Sequence, residues 1–151
     1  RFKYEREGFN ARMDELQAAV LRVKLRHLEA WLARRRANAR IYCEMLSDLV
    51  PEHLQLPAHA AGAEPVYRMF VIRCARRDEL QAYLAEAGIW TGLAYVPPLH
   101  LQPVGRYLGY GPGSFPQTER VADELLCLPT IPELSSDEIA WVAETIRSFF
   151  N

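Results

Sequence analysis

VYRMFVIRCARRDELQAYLAEAGIWTGLAYV, residues 66–96, changes its apolar period twice. Val66 to Arg73 is dense in β-branched and aromatic side chains, which fit a pleated, half-buried surface, so the segment predicts a strand. From Asp78 to Ala87 the spacing turns helical. Leu80, Tyr83, Leu84 and Ala87 share one face, and Gly88 follows as a residue able to close a helix in the left-handed region. Ile89 to Val96 returns to strand composition and stops at Pro97-Pro98, which have no N–H for a ladder. Strand, short helix and strand predict a βαβ or split-βαβ unit.

Upstream of this unit the punctuation is different. All ten prolines lie at Pro51 or later, and residues 9–50 contain neither Gly nor Pro. That stretch reads as uninterrupted helix. Leu21, Leu25, Leu28 and Leu32 form one apolar stripe, and Met13, Leu16, Val20 and Val23 form a second. Two stripes imply two covered faces, one by the chain's own core and one by something else. A straight helix over Arg12–Asp48 would reach about 55 Å, too long for a compact domain of this size, so a bend is expected near Arg34 to Asn38. Downstream, Leu99–Gly113 is a Gly- and Pro-rich loop. A helix is expected over Gln117–Leu126 with Pro116 near its first turn, then a short extended piece over residues 128–132. Ser135-x-x-Glu138 is a capping box opening a last helix that buries Ile139, Val142, Ala143, Ile146 and Phe149.

The expected fold class is α+β, an α/β two-layer arrangement. A long N-terminal helix precedes a small, mostly antiparallel sheet with helices packed on one face. Residues 1–50 read as a connecting segment and bent helix, and residues 51–151 as a small α/β domain.

The chain has 151 residues, 50% of them apolar and 25% charged, with a net charge of −1. This length sustains one core, and the balance of charge excludes a generally basic nucleic-acid binder. No apolar run approaches the ~18–20 residues of a membrane span. Residues 1–10 alternate charges and do not read as a signal peptide, and the first residue is Arg, which reads as a start inside a longer protein or as a start that was removed. Cys43, Cys74 and Cys127 are three, far apart and without a C-x-x-C, which suits reduced thiols in a cytoplasmic protein. Basic residues are sixteen Arg and only two Lys, Lys3 and Lys24.

No phosphate loop, dinucleotide fingerprint or serine elbow is present, and the four histidines lack metal spacing, so no metal is expected. Three features stand out. In Gly8-Phe9-Asn10-Ala11-Arg12, Asn10 either caps a helix or faces an anion together with backbone N–H groups, with Arg12 as a phosphate or carboxylate fork. In Trp90 to His100, aromatic residues and a histidine enter a Pro-Pro loop. Trp90, Tyr95 and His100 either pack or contact a ligand there. The cluster Arg34, Arg35, Arg36 and Arg40 reads as a solvated helix face.

Taken in order, GFNARMDELQAA, VYRMFVIR, RDELQAYLAEAGIWTG, PLHLQP, FPQTERVADELLCLP and PELSSDEI resemble the carboxy-terminal part of the DegT/DnrJ/EryC1/StrS aminotransferases. The resemblance covers nearly the whole chain. It implies the small domain of a fold-type I pyridoxal-phosphate enzyme that converts keto groups on nucleotide-linked sugars to amines, with glutamate the common donor, as in polysaccharide or antibiotic sugar biosynthesis. The large domain, with most of the cofactor site and the Schiff-base lysine, would lie upstream. Lys3 and Lys24 do not match that lysine, so no catalytic residue is expected in this chain, which alone should be inactive.

Residue by residue, Asn10 resembles an asparagine that reaches the cofactor phosphate of the partner subunit in a homodimer. Arg12 resembles an arginine that contacts the sugar-nucleotide substrate, and Tyr95 and His100 lie on the substrate side. Members often read His-Tyr-Pro where this chain has Ala94-Tyr95-Val96, so any contact made by that histidine is absent here. Nucleic acid and membrane are not expected partners. The competing readings are a stand-alone dimerisation or interaction module, and a pyridoxamine-dependent dehydratase-like or regulatory member of the family.

Overall fold

The structure is a computed structural model and describes residues 11–151. Asn10 and Lys3 therefore lie outside the described residues. Asp14 caps the first helix, α1 (Glu15–Leu25), its Oδ1 accepting from Leu16 N at 3.0 Å. Arg26 and His27 form a turn, and α2 follows over Leu28–Met45. The break expected near Arg34 to Asn38 thus falls earlier, and α2 runs straight through the arginine run. Neither Gly nor Pro marks the turn.

α1 buries no residue. Leu21 and Leu25, together with Leu28 at the start of α2, belong to the first expected stripe, and they are exposed like Leu16 and Val20 on the second, so the chain's own core covers neither stripe there. The core begins further along, at Asn38, Ala39 and Tyr42 on α2. After a 3₁₀ turn at Ser47–Leu49 come β1 (Phe70–Arg73), α3 (Arg77–Glu86), α4 (Pro116–Glu124), β2 (Leu125–Leu128) and α5 (Ser136–Phe150).

β1 pairs antiparallel with β2, Phe70 opposite Leu128 and Arg73 opposite Leu125. The strand expected from Val66 starts only at Phe70, because Tyr67 sits at φ 48° and its carbonyl is taken by Arg35 instead of a ladder partner. On the other edge of β2, Cys127 exchanges both backbone hydrogen bonds with Gly92, at 2.8 and 3.0 Å. β1 and Gly92 both run antiparallel to β2 and flank it. The unit therefore forms in its split version, with the strand expected over 89–96 reduced to one bridge. Gly88 at φ 78° ends α3, and Tyr95 at φ 57° turns the chain away from the sheet. The helix expected to reach Leu126 stops at Glu124, since Leu125–Leu128 is an apolar run that the sheet buries as a central strand.

Residues 129–134 contain two prolines and cannot form a regular ladder. Side chains of α2 satisfy their carbonyls instead. Tyr42 Oη donates to Pro129 O at 2.9 Å, Arg35 to Thr130 O at 3.2 Å and Asn38 to Ile131 O at 3.3 Å. Arg34 Nε donates to Pro132 O at 3.3 Å, and Arg36 Nε to Pro65 O at 3.2 Å. The run expected to be a solvated face is a set of staples instead. α5 opens on the predicted capping box and packs Ile139, Ala143 and Ile146 into a core shared with Tyr42, Phe70, Leu80 and Leu126. Among the described residues, no helix is long and apolar enough to cross a membrane.

Candidate functional site

The 93–101 segment and α4 enclose a cleft of about 610 Å³. Its walls are mainly apolar: Tyr95, Pro98 and Leu99 on one side, Phe115, Val121 and Leu125 on the other, with His100 between. Two expected site residues, Tyr95 and His100, therefore come together. Arg12 does not line the cleft; it is exposed in the lead-in to α1. Asn10 lies outside the described residues. Trp90 is 87% exposed and stands apart from the lining.

Local chemistry builds this shape. Pro98 starts a 3₁₀ turn at Leu99–Leu101, and a second turn at Pro103–Leu108 packs back on it. A Cβ on Gly105 would come within 3.2 Å of Leu99 O, so that approach needs glycine. Gln102 Nε2 donates to Pro97 O at 2.9 Å and ties the Pro-Pro loop to the turn. The ring of Phe115 meets His100 edge-on at 4.9 Å and Tyr110 at 4.9 Å.

Glu119, in the first turns of α4, holds these pieces together. Its Oε1 accepts from Gly113 N at 3.0 Å, Phe115 N at 3.2 Å and His100 Nε2 at 3.0 Å, and its Oε2 accepts from Gly113 N at 2.9 Å. The Gly113 amide above all, then the hydrogen bonds from His100 and Phe115, hold this carboxyl below the usual glutamate range. Sequence reasoning passed over Glu119. The available signal was an acid just behind a Pro-initiated helix start, where orphan backbone N–H groups gather. Behind the cleft, Arg77 is buried and donates to Ala122 O and Leu125 O, both at 3.2 Å, placing a cation at the C-terminal carbonyls of α4. Among the described residues, no three His, Cys, Asp or Glu side chains are grouped to hold a metal ion.

The cleft is an apolar recess with a nearly buried imidazole, reached from a Pro-rich loop. The sequence profile of the DegT/DnrJ/EryC1/StrS aminotransferase family matches residues 1–147, and the chain belongs to that family. It is 46% identical over 148 residues to the erythromycin biosynthesis sensory transduction protein EryC1 of Saccharopolyspora erythraea, covering 98% of this chain and 40% of that protein. It is 39% identical over 151 residues to the dTDP-3-amino-3,4,6-trideoxy-alpha-D-glucose transaminase of Streptomyces venezuelae, covering 99% of this chain and 39% of the transaminase. Its fold superposes on the crystal structure of S. venezuelae DesV with a TM-score of 0.88 at 38% identity, over 98% of this chain and 39% of that one. The chain thus spans about 40% of the length of the curated relatives it matches.

Proposed function

We propose that this chain is the carboxy-terminal part of a pyridoxal-phosphate-dependent aminotransferase that moves an amino group from glutamate to a nucleotide-linked keto-sugar. Family membership supports the reaction class, and the likeness to a dTDP-sugar transaminase supports the substrate class. The cleft carries the role given to this chain. Its apolar walls and aromatic rim suit the C–H face of a sugar ring, and Tyr95 and His100 supply polar groups for its hydroxyls. Arg12 offers a planar fork for the nucleotide's phosphates. Asn10 is assigned to the cofactor phosphate of a partner subunit in a homodimer, and the protein to the cytoplasm.

The described residues do not hold the cofactor by themselves. The cleft lining contains no cationic Lys or Arg side chain, and Lys24, the one lysine among the described residues, lies in an exposed groove on α1 with Leu16 and Val20. When bound, pyridoxal phosphate supplies the electron sink for moving the amine. Its main site and the reactive lysine are assigned to the rest of a longer protein. This chain binds and orients the sugar and excludes water from one side of it.

The test compares the purified 151-residue chain with the full-length protein, each given glutamate, pyridoxal phosphate and a dTDP-linked keto-sugar, and follows 2-oxoglutarate. The full-length protein should turn over and the chain alone should not. Turnover by the chain would refute the assignment of the reactive amine elsewhere.

A second reading, a regulatory or interaction module, draws on the name of EryC1 and on the exposed apolar face of α1. A third keeps the family and changes the reaction to pyridoxamine-dependent dehydration. The residue at the reactive-lysine position separates them, lysine for transfer and histidine for dehydration.

A further inference from the structure

Glu119 does more than tie two loops together. An ionised carboxylate has no hydrogen to give, and backbone donors already point at both of its oxygens. The hydrogen in its 3.0 Å contact with His100 therefore sits on Nε2 of the imidazole. In the neutral ring the other nitrogen, Nδ1, is then an acceptor. Nδ1 has no hydrogen-bond partner among the described residues. No buried side-chain nitrogen or oxygen there lacks a partner, so Nδ1 must be open to solvent although the His100 side chain is only 8% exposed. His100 lines the cleft.

We propose that Glu119 is a positioning residue. It fixes His100 as the Nε2–H tautomer, so that Nδ1 accepts a hydrogen bond from a hydroxyl or N–H of the ligand seated between Tyr95 and Phe115. The proposal rests on the substrate reading above and narrows it. With the ring neutral, the group facing Nδ1 must be a donor. A phosphate or carboxylate there would meet a lone pair, and the cleft lining has no Lys or Arg to offset its charge. A hydroxyl or the base N–H of a nucleotide sugar fits, and its diphosphate lies outside this cleft.

Two substitutions separate the nitrogens. The carboxamide of His100→Asn keeps a hydrogen-bonding group near Nδ1, and the longer one of His100→Gln keeps a donor near Nε2 for Glu119. The full-length protein is titrated with dTDP-glucose, which resembles the substrate and has no keto group. His100→Asn should bind within about twofold of the parent, and His100→Gln should weaken binding three- to tenfold, the loss of about one net hydrogen bond. A merely structural role for His100 predicts the reverse order, and that order would overturn the proposal.

The tautomer is read without ligand from imidazole-15N-labelled protein, with His100 assigned by its loss in His100→Gln. A protonated Nε2 and a bare Nδ1 are expected in the parent, and a redistribution in Glu119→Gln. Hydrogen on Nδ1 in the parent would overturn the proposal even if every variant failed to fold. Failure of the parent to bind dTDP-glucose would overturn the nucleotide-sugar reading instead, and the spectrum would still report the Glu119 step on its own.

Discussion

Replacing Arg35 by Met should destabilise the fold by about 2 kcal/mol. Arg35 Nη1 lies 3.4 Å from Tyr67 O, 3.2 Å from Arg68 O and 3.2 Å from Thr130 O. One nitrogen has two hydrogens, so no more than two of these bonds form at once. A hydrogen bond from a charged donor is worth roughly 1.5–3 kcal/mol when well placed. These are long and half-exposed, which brings the pair to about 2 kcal/mol in total. The methionine keeps the stem packing, so the loss reports the guanidinium. For a domain of this size that corresponds to a melting temperature lower by about 4–8 °C. Arg40→Met is the control: Arg40 belongs to the same cluster, is exposed, and should change stability by less than about 0.5 kcal/mol. Arg35→Lys should recover less than half of the loss, because its ammonium ends one bond short of the position that Nη1 occupies between these carbonyls. Thermal unfolding followed by circular dichroism decides the matter. Equal effects at Arg35 and Arg40, or none at Arg35, would return the cluster to a solvated face.

Ser135→Ala removes one half of the capping box, in which Ser135 Oγ accepts from Glu138 N at 3.2 Å, and should cost about 1 kcal/mol in urea unfolding. The Glu119 carboxyl titrates below its ordinary 4.5, so its contribution to stability is complete above that pH and disappears as pH falls through the lower folded value. Glu119→Gln should therefore flatten the acid limb of a stability-against-pH curve and leave its slope near neutrality unchanged. Leu16→Ser with Val20→Ser alters only exposed positions of α1. The pair should change unfolding free energy by less than about 0.5 kcal/mol and reduce self-association in light scattering. Unchanged scattering would remove α1 as the adhesive surface.

Where local period and packing agreed, the sequence was readable. α3 and α5 stand within a residue or two of their expected limits, because each has an apolar stripe and a terminal signal, Gly88 for one and Ser135 with Glu138 for the other. The misses have physical causes. The run Leu125-Leu126-Cys127-Leu128 reads equally as the end of a helix or as a strand, since a doubly buried strand has no period of its own, and the structure makes all of it strand. The turn at Arg26–His27 carries no breaker. Arg34, Arg35 and Arg36 looked solvated because sequence does not reveal the open carbonyls they meet in the fold, for Arg34 and Arg35 in a proline-rich segment nearly a hundred residues away and for Arg36 at Pro65. At the candidate site, Tyr95 and His100 were legible as aromatic and imidazole groups beside a rigid loop. Glu119 was not, because its role comes from two loops that meet only in the fold.

The cleft owes its shape to polar nodes more than to burial. Between residues 93 and 115 only Pro98 and Gly105 are buried, while Tyr107 is 84% and Val104 81% exposed. A segment so apolar would gain free energy by collapsing onto the core at roughly 25 cal/mol per Å². It is held outward by Gln102 on Pro97, Ser114 on Gly111, and Glu119 on Gly113, Phe115 and His100. Each node is worth only about 1 kcal/mol net, so the open arrangement persists because the two 3₁₀ turns and α4 leave the chain little freedom to fold back. Hydrogen bonds that keep apolar side chains in water recover only part of the free energy that covering those side chains would release. They hold open the recess that His100 lines, the place proposed above for the ligand.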